Sequence, residues 1–178
     1  LLFASMAHVK ARRPDARLLL AGGKPDQVEK ARTQAQAAGI GDVTIFAGER
    51  PASEIPAYLL ACDALVSPRS RGTNTPLKIY QYLRSGKAIV ATRLLTHTQV
   101  LDDATSILTG VSASEFGDGI LQALNDRAHA ARIGAAAQHL AETKYSYEAY
   151  LDKTRRACAA LDPSGTPLSP GSPVKDVA

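Results

Sequence analysis

Short apolar runs alternate with longer helical segments along most of the chain, and this alternation constrains the fold more than any other feature. The runs are four to six residues long and rich in leucine, isoleucine, valine and alanine. Strands of this composition are typical of parallel sheets, because helices cover both of their faces. The pattern therefore predicts an α/β fold, a parallel sheet of about five strands with helices on both faces. The predicted strands are residues 16–21, 43–47, 64–67, 88–92 and 106–109.

Two pairs of residues have the spacing of a capping box, in which two side chains satisfy backbone N–H groups at the start of a helix. These pairs are Ser112 with Glu115 and Thr96 with Gln99. The first predicts a helix that runs to residue 125, and the second predicts a short helical turn. Four further helices are predicted at residues 1–13, 27–38, 126–144 and 147–161. Two more predicted helices start at hydroxyl side chains.

Those two helix starts are each marked by a hydroxyl side chain. Ser53 is placed to cap a short helix that runs to residue 60. Thr75 is followed by Pro76, and proline is favoured at the first helical position because its missing N–H would have no partner there. We expect this second helix to end near Gly86.

The pattern of elements predicts one domain over residues 1–161. Residues 162–178 contain four prolines, two glycines and three serines, and this composition predicts a disordered tail. No apolar stretch approaches the roughly 20 residues of a membrane span, and we expect a cytoplasmic protein. The cysteines and histidines lack the spacing of metal ligands, so we expect no metal.

Positive charge is concentrated in one part of the chain. The segment from Arg69 to Arg93 contains six basic residues and no acidic residue. The positive electrostatic potential of such a segment favours a phosphate-bearing partner, although a solvated basic face would have the same composition. We expect no nucleic acid as partner, because aromatic side chains, which stack on bases, make up only 5% of the chain.

The segment that begins at residue 67, SPRSRGTNTPLKIYQYLRSGKAIVAT, follows a predicted strand and combines several features of an anion site. Ligands of parallel sheets bind at the carboxyl ends of strands. Gly72 permits a tight turn, and the helix that starts at Pro76 directs its positive end towards that loop. Lys78 lies in the first helical turn, where a cation is unfavourable beside the positive end of the helix dipole unless a bound anion offsets the cost. Alternatively, Lys78 extends into solvent. Gln81 shares a helix face with Lys78 and suits ribose hydroxyls, although a glutamine within a helix is usually a surface residue.

The same segment resembles the donor-binding motif of the GT-B glycosyltransferases of family 4. The stretches ARRPDARLLLAGG, VTIFAGERPASEIPAYLLACDALVSP and YSYEAYLDK also fit that family, so the resemblance extends over residues 1–161. It implies the Rossmann-like, C-terminal half of a GT-B fold with its first strand missing. That strand and its loop would bring an arginine and a lysine to the donor phosphates, and we expect both to be absent from this chain.

The resemblance also implies roles for individual residues. Two glutamates of the family motif, eight positions apart, correspond to Thr73 beside the donor sugar and Gln81 at the ribose, and Thr73 and Lys78 are the implied catalytic residues. The loop at residues 48–50 would lie beside the base. The implied donor-binding residues are Gly22, Gly23, Gly48, Glu49, Arg50, Gly72, Asn74, Thr75, Pro76, Leu77 and Gln81.

The expected function is transfer of a sugar, of the hexosyl type, from a nucleotide diphosphate sugar with retention of configuration, in glycan biosynthesis. A missing N-terminal domain would hold the acceptor and provide any peripheral membrane association, and this fragment alone would be inactive. The nucleotide sugar is a substrate, and no cofactor is expected. The alternative is a non-catalytic nucleotide-sugar-binding or scaffold domain derived from the same family. His97 is left open, because it lies near a strand end but also within the predicted helical turn.

Overall fold

Five strands form at the five predicted apolar runs. The structure, a computed structural model, describes residues 1–161, and the disorder predicted for residues 162–178 lies outside the described residues. Each strand lies within two residues of its predicted bounds, and all of the strand pairs are parallel. The strands are β1 Leu18–Ala21, β2 Thr44–Gly48, β3 Ala64–Ser67, β4 Ala88–Thr92 and β5 Ile107–Thr109.

The strands form two hydrogen-bonded groups. β1 pairs with β2, with Leu18 opposite Thr44. β4 lies between β3 and β5, with Val90 opposite both Val66 and Ile107. Within the described residues no hydrogen-bonded ladder joins the two groups, so the parallel sheet predicted from the sequence is present as two parallel parts.

The helices follow the predicted segments, and the capping box of Ser112 and Glu115 is confirmed: the N–H of Glu115 donates to Ser112 Oγ over 3.2 Å. The prediction that Ser53 caps a helix is wrong, because that helix follows Glu54 and a backbone turn supplies its first hydrogen bonds. A short 3-10 helix occupies Gly41–Val43. The α-helices are α1 Leu2–Arg12, α2 Pro25–Ala37, α3 Ile55–Ala61, α4 Lys78–Arg84, α5 Leu95–Thr98, α6 Ala113–Asn125, α7 Arg127–Lys144 and α8 Tyr147–Leu161.

β4 lies between two layers of helices and is buried along its whole length. Because successive side chains of a strand point to opposite faces, Val90 packs in the cluster that contains Phe116 of α6, and Ile89 packs in the cluster that contains Leu83 of α4. This packing fixes the carboxyl ends of β3 and β4 at one edge of the sheet. The loops that follow these two strands form the candidate site.

Candidate functional site

The helix after β3 begins later than the sequence predicts. Its first residue is Lys78, and Leu77 precedes it without a capping side chain. The N–H of Ile79 donates to the carbonyl of Pro76 over 3.0 Å, so a tight backbone turn supplies the first partner and the hydroxyl of Thr75 is not used as a cap. The prediction that Thr75 caps this helix and that Pro76 is its first residue is therefore wrong.

Side chains of α5 and of Gln99, the residue that follows it, hold the loop between β3 and α4. Thr96, which is buried, donates from Oγ1 to the carbonyl of Asn74 over 2.5 Å. Gln99 donates from Nε2 to the carbonyl of Thr73. The prediction that Thr96 and Gln99 form a capping box is wrong, because α5 is preceded by Leu94 with no side-chain cap and the two polar side chains bond to the loop instead.

His97 links the ends of β3 and β4. Its ring is fully buried, with Nδ1 2.8 Å from the carbonyl oxygen of Thr92 and Nε2 2.9 Å from Ser67 Oγ. A carbonyl only accepts, so Nδ1 donates to the carbonyl of Thr92. In a neutral ring Nε2 then has no proton, and it accepts from the hydroxyl of Ser67. Burial lowers the pKa of His97, and the charges of Lys78 and Arg69 lower it further, while the hydrogen bond to Thr92 opposes this. Because both ring nitrogens are occupied, His97 holds the strand ends together rather than facing a substrate.

Lys78 projects from the start of α4 towards the end of β3. Its ammonium donates to the carbonyl of Val66 over 3.3 Å and lies 5.4 Å from the centre of the Tyr82 ring. Burial lowers the pKa of Lys78, and the neighbouring charge of Arg69 adds to this effect. No salt bridge within residues 1–161 involves Lys78. A bound anion would therefore stabilise its charged form.

The basic segment divides into residues that converge on the loop and residues that do not. Arg69 is half-buried, and its NH1 lies 3.1 Å from the position that a Cβ at Gly72 would occupy. Gly72 has a φ of 128°, which favours glycine. Arg93 forms a two-bond ion pair with Asp103 at the surface. Arg69 is not among the site residues predicted from the sequence, where its only signal is its place in the basic segment, two residues after the end of β3.

The other residues predicted for this loop lie at its surface. Thr73, Asn74 and Gln81 are exposed, and Gln81 follows Lys78 by one turn of α4. Leu77 is 83% exposed, an unusual value for a large apolar side chain. Thr75 and Pro76 are half-buried.

A second pair of loops follows β1 and β2. The N–H of Gly22 donates to the carbonyl of Gly48 over 2.7 Å, and Gly22, Gly23 and Gly48 all have positive φ. Glu49 and Arg50 are exposed, and Arg50 donates from Nε to a backbone carbonyl three residues earlier. The structure thus brings these five predicted residues to one edge, but no hydrogen bond within residues 1–161 joins them to the loop after β3.

The chemistry available at the loop after β3 is anion binding. Arg69 and Lys78 supply positive charge, and the loop supplies backbone amides and hydroxyl side chains. Within the described residues, no group of three or more histidine, cysteine, aspartate or glutamate side chains could hold a metal ion. In the same part of the chain, no helix is long and apolar enough to cross a membrane.

Comparison with known proteins defines first the fold and then the family. The fold matches the C-terminal, Rossmann-like domains of GT-B glycosyltransferases. The family model "Glycosyl transferases group 1" matches residues 1–140, and the chain belongs to this family. Comparison with the sequences of curated proteins gave no significant match.

Three solved structures illustrate the likeness. HepE of Anabaena in complex with UDP is 20% identical, with a TM-score of 0.78 over 90% of this chain and 45% of that chain. Sucrose-phosphate synthase of Thermosynechococcus elongatus is 21% identical, with a TM-score of 0.74 over 90% and 43%. The C-terminal domain of a group 1 glycosyl transferase (LpcC) of Francisella tularensis is 20% identical, with a TM-score of 0.69 over 82% and 78%. The chain spans less than half the length of the first two proteins, and at these identities the likeness shows the fold alone.

Proposed function

We propose that this chain is the nucleotide-sugar-binding part of a retaining glycosyltransferase of family 4. It would move a hexosyl group from a nucleoside diphosphate sugar to an acceptor held by another domain, in cytoplasmic glycan biosynthesis, and would be inactive alone. Family membership over residues 1–140 supports this proposal. The solved structures of HepE in complex with UDP and with UDP-glucose support the choice of substrate class.

The observation that carries the proposal is the proximity of two cations, Arg69 and Lys78, at the end of β3. Burial lowers the pKa of Lys78 and the charge of Arg69 lowers it further, and no salt bridge within the described residues joins either side chain to a carboxylate. Two neighbouring positive charges repel each other, and an anion between or beside them offsets this repulsion. A diphosphate is such an anion, and it is also the leaving group of the proposed reaction.

In that reaction the bond between the anomeric carbon and the diphosphate oxygen breaks, and its electron pair passes to the oxygen. The acceptor hydroxyl oxygen forms the new bond to the same carbon, on the face that the diphosphate leaves, and its proton passes to the departing diphosphate. Negative charge therefore grows on the diphosphate, where Lys78, Arg69 and the loop amides would stabilise it. This stabilisation needs neither a metal ion nor an organic cofactor.

The remaining residues would bind the other parts of the nucleotide sugar. Thr73 would lie beside the sugar, and Gln81 would bind the ribose hydroxyls, for which an amide offers both a donor and an acceptor. The further contacts to the diphosphate and the base would come from Gly22, Gly23, Gly48, Glu49, Arg50, Gly72, Asn74, Thr75, Pro76 and Leu77.

A second candidate is a non-catalytic nucleotide-sugar-binding or scaffold domain of the same family. The observation that favours it is that Thr73 and Gln81 are neutral at the two positions where the family motif carries glutamates. Such a domain would retain affinity for the nucleotide sugar and would show no transfer. Incubation with nucleotide sugar and acceptor in the presence of the acceptor-binding domain separates the two candidates, and the anomeric configuration of the product reports retention.

Calorimetric titration of the chain with UDP, GDP and ADP tests binding. We expect one nucleoside diphosphate to bind, and we expect Lys78→Met to weaken its affinity by about tenfold or more, as for the loss of a hydrogen bond to a charged group. The matched control is Lys87→Met, because Lys87 is also half-buried and basic but precedes β4 at the opposite edge of the sheet. Equal losses in both variants, or no binding by the folded chain, would contradict the proposal.

A further inference from the structure

We propose that α5 positions the nucleotide-sugar loop, and that Thr96 and Gln99 are the positioning residues that set its geometry. This inference rests on the proposed function. Thr96 and Gln99 bond to two successive carbonyls of the loop, those of Asn74 and Thr73 respectively. Neither side chain is among the residues that sequence analysis assigned to the site.

The orientation of the loop amides follows from these two bonds. The described residues contain no cis peptide bond, and in a trans peptide the N–H points opposite to the carbonyl. The carbonyls of Thr73 and Asn74 face α5, so the N–H groups of Asn74 and Thr75 face away from it. No hydrogen bond within residues 1–161 uses either N–H. Successive free N–H groups on one side of a loop form an anion-binding concavity.

α5 can hold the loop because α5 is itself fixed. His97, between the two positioning residues, is buried and bonds to Ser67 at the end of β3 and to Thr92 at the end of β4. Leu101, just beyond α5, is buried in the cluster that contains Leu83 of α4. The loop is thereby tied to the strand ends, and donors fixed before binding stabilise an anion better than donors that must reorient.

The test compares near-isosteric variants that remove only the hydrogen-bonding atoms. Thr96→Val and Gln99→Met keep the size of each side chain and lose the donor. Thr96→Ser keeps the hydroxyl, and Thr98→Val changes an exposed threonine of the same helix. Each variant is titrated by calorimetry with the nucleoside diphosphate that the unmodified chain binds, and its melting temperature is recorded.

We expect Thr96→Val and Gln99→Met each to lower the affinity about fivefold, the usual effect of one hydrogen bond. Thr96→Ser and Thr98→Val should bind like the unmodified chain. Gln99 is exposed, so Gln99→Met should lose affinity with little change in melting temperature, which a purely structural role would not produce.

Three results would overturn the proposal, and they are distinguishable from one another. If the unmodified chain binds a nucleoside diphosphate and Thr96→Val and Gln99→Met bind it equally well, the positioning role is wrong and the proposed function stands. If the folded, unmodified chain binds none of UDP, GDP and ADP, the proposed function fails and this inference fails with it. An equal loss of affinity in Thr98→Val would also overturn the positioning role, because it would show a general effect of destabilising α5.

Discussion

The two edges that carry the predicted site residues are held in different ways. At the carboxyl ends of β3 and β4, the buried side chains of Thr96 and His97 tie the loop and the strands together. At the ends of β1 and β2, one backbone hydrogen bond joins Gly22 to Gly48, and the neighbouring side chains are exposed. The first edge is held by buried side-chain hydrogen bonds, whereas the second is held through its backbone. Under the proposed function, the first edge would hold the diphosphate that all nucleoside diphosphate sugars share, and the second would contact the base, which varies among them.

The largest expected effect is on stability, and it separates the two edges. His97→Leu leaves the buried hydroxyl of Ser67 without its partner, while the carbonyl of Thr92 still accepts from the N–H of Leu94. The free energy of unfolding should therefore fall by about 2 kcal/mol. Arg50→Ala, at the other edge, removes a single exposed hydrogen bond and should change the free energy of unfolding by less than about 0.5 kcal/mol. Urea denaturation at pH 7.5 measures both values, and a loss below about 1 kcal/mol in His97→Leu would remove the contrast.

One glycine variant at each edge gives a second comparison of the two edges, with smaller expected losses of stability. Gly72 and Gly48 both have positive φ, so alanine at either position should cost about 1–2 kcal/mol of stability. Only at Gly72 would the new Cβ press against the Arg69 guanidinium, whereas a Cβ at Gly48 meets no atom within 4 Å. Gly72→Ala should therefore also weaken nucleotide affinity severalfold in calorimetric titration. A Gly72→Ala variant that binds the nucleotide as tightly as the unmodified chain would show that Arg69 does not contribute to binding.

The smallest expected effect is on the pH dependence of stability. Because the pKa of His97 is lowered in the folded chain, the unfolded chain takes up a proton that the folded chain resists. The contribution of His97 is full above about pH 6.5, its ordinary pKa, and is lost as the pH falls towards its lowered value. Unfolding free energies measured from pH 7.5 to 5 should decline less steeply in His97→Gln than in the unmodified chain. Identical slopes would show that His97 is not held neutral.

The strands and most helices follow from local pattern, since buried strands and capped helices have signals within the sequence itself. The box at Ser112 and Glu115 forms because both partners lie within one turn. The pair at Thr96 and Gln99 has the same spacing but bonds to a loop more than 20 residues earlier, which no local pattern records. A capping signal therefore predicts a cap only where the fold brings no competing hydrogen-bond partner to the same side chains.

The site shows the same limit. Lys78 was predicted from its place beside a glycine-containing loop, because that signal is local. No local pattern marks Arg69, because only the folded loop shows that its guanidinium lies beside Gly72. The neutrality of His97 depends on burial by residues distant in the chain, so the sequence left its role open.

The central claim is that the loop after β3 binds the diphosphate, and the most direct test follows the backbone amide resonances of the chain during titration with UDP, GDP and ADP. The account predicts that the nucleotide that binds causes its largest shifts at Asn74, Thr75 and Lys78, and that inorganic pyrophosphate shifts the same amides. It also predicts smaller shifts at Gly22 and Gly48 that appear with the nucleotide and not with pyrophosphate. Largest shifts elsewhere in the chain, with the amides of Asn74 and Thr75 unchanged, would contradict the account.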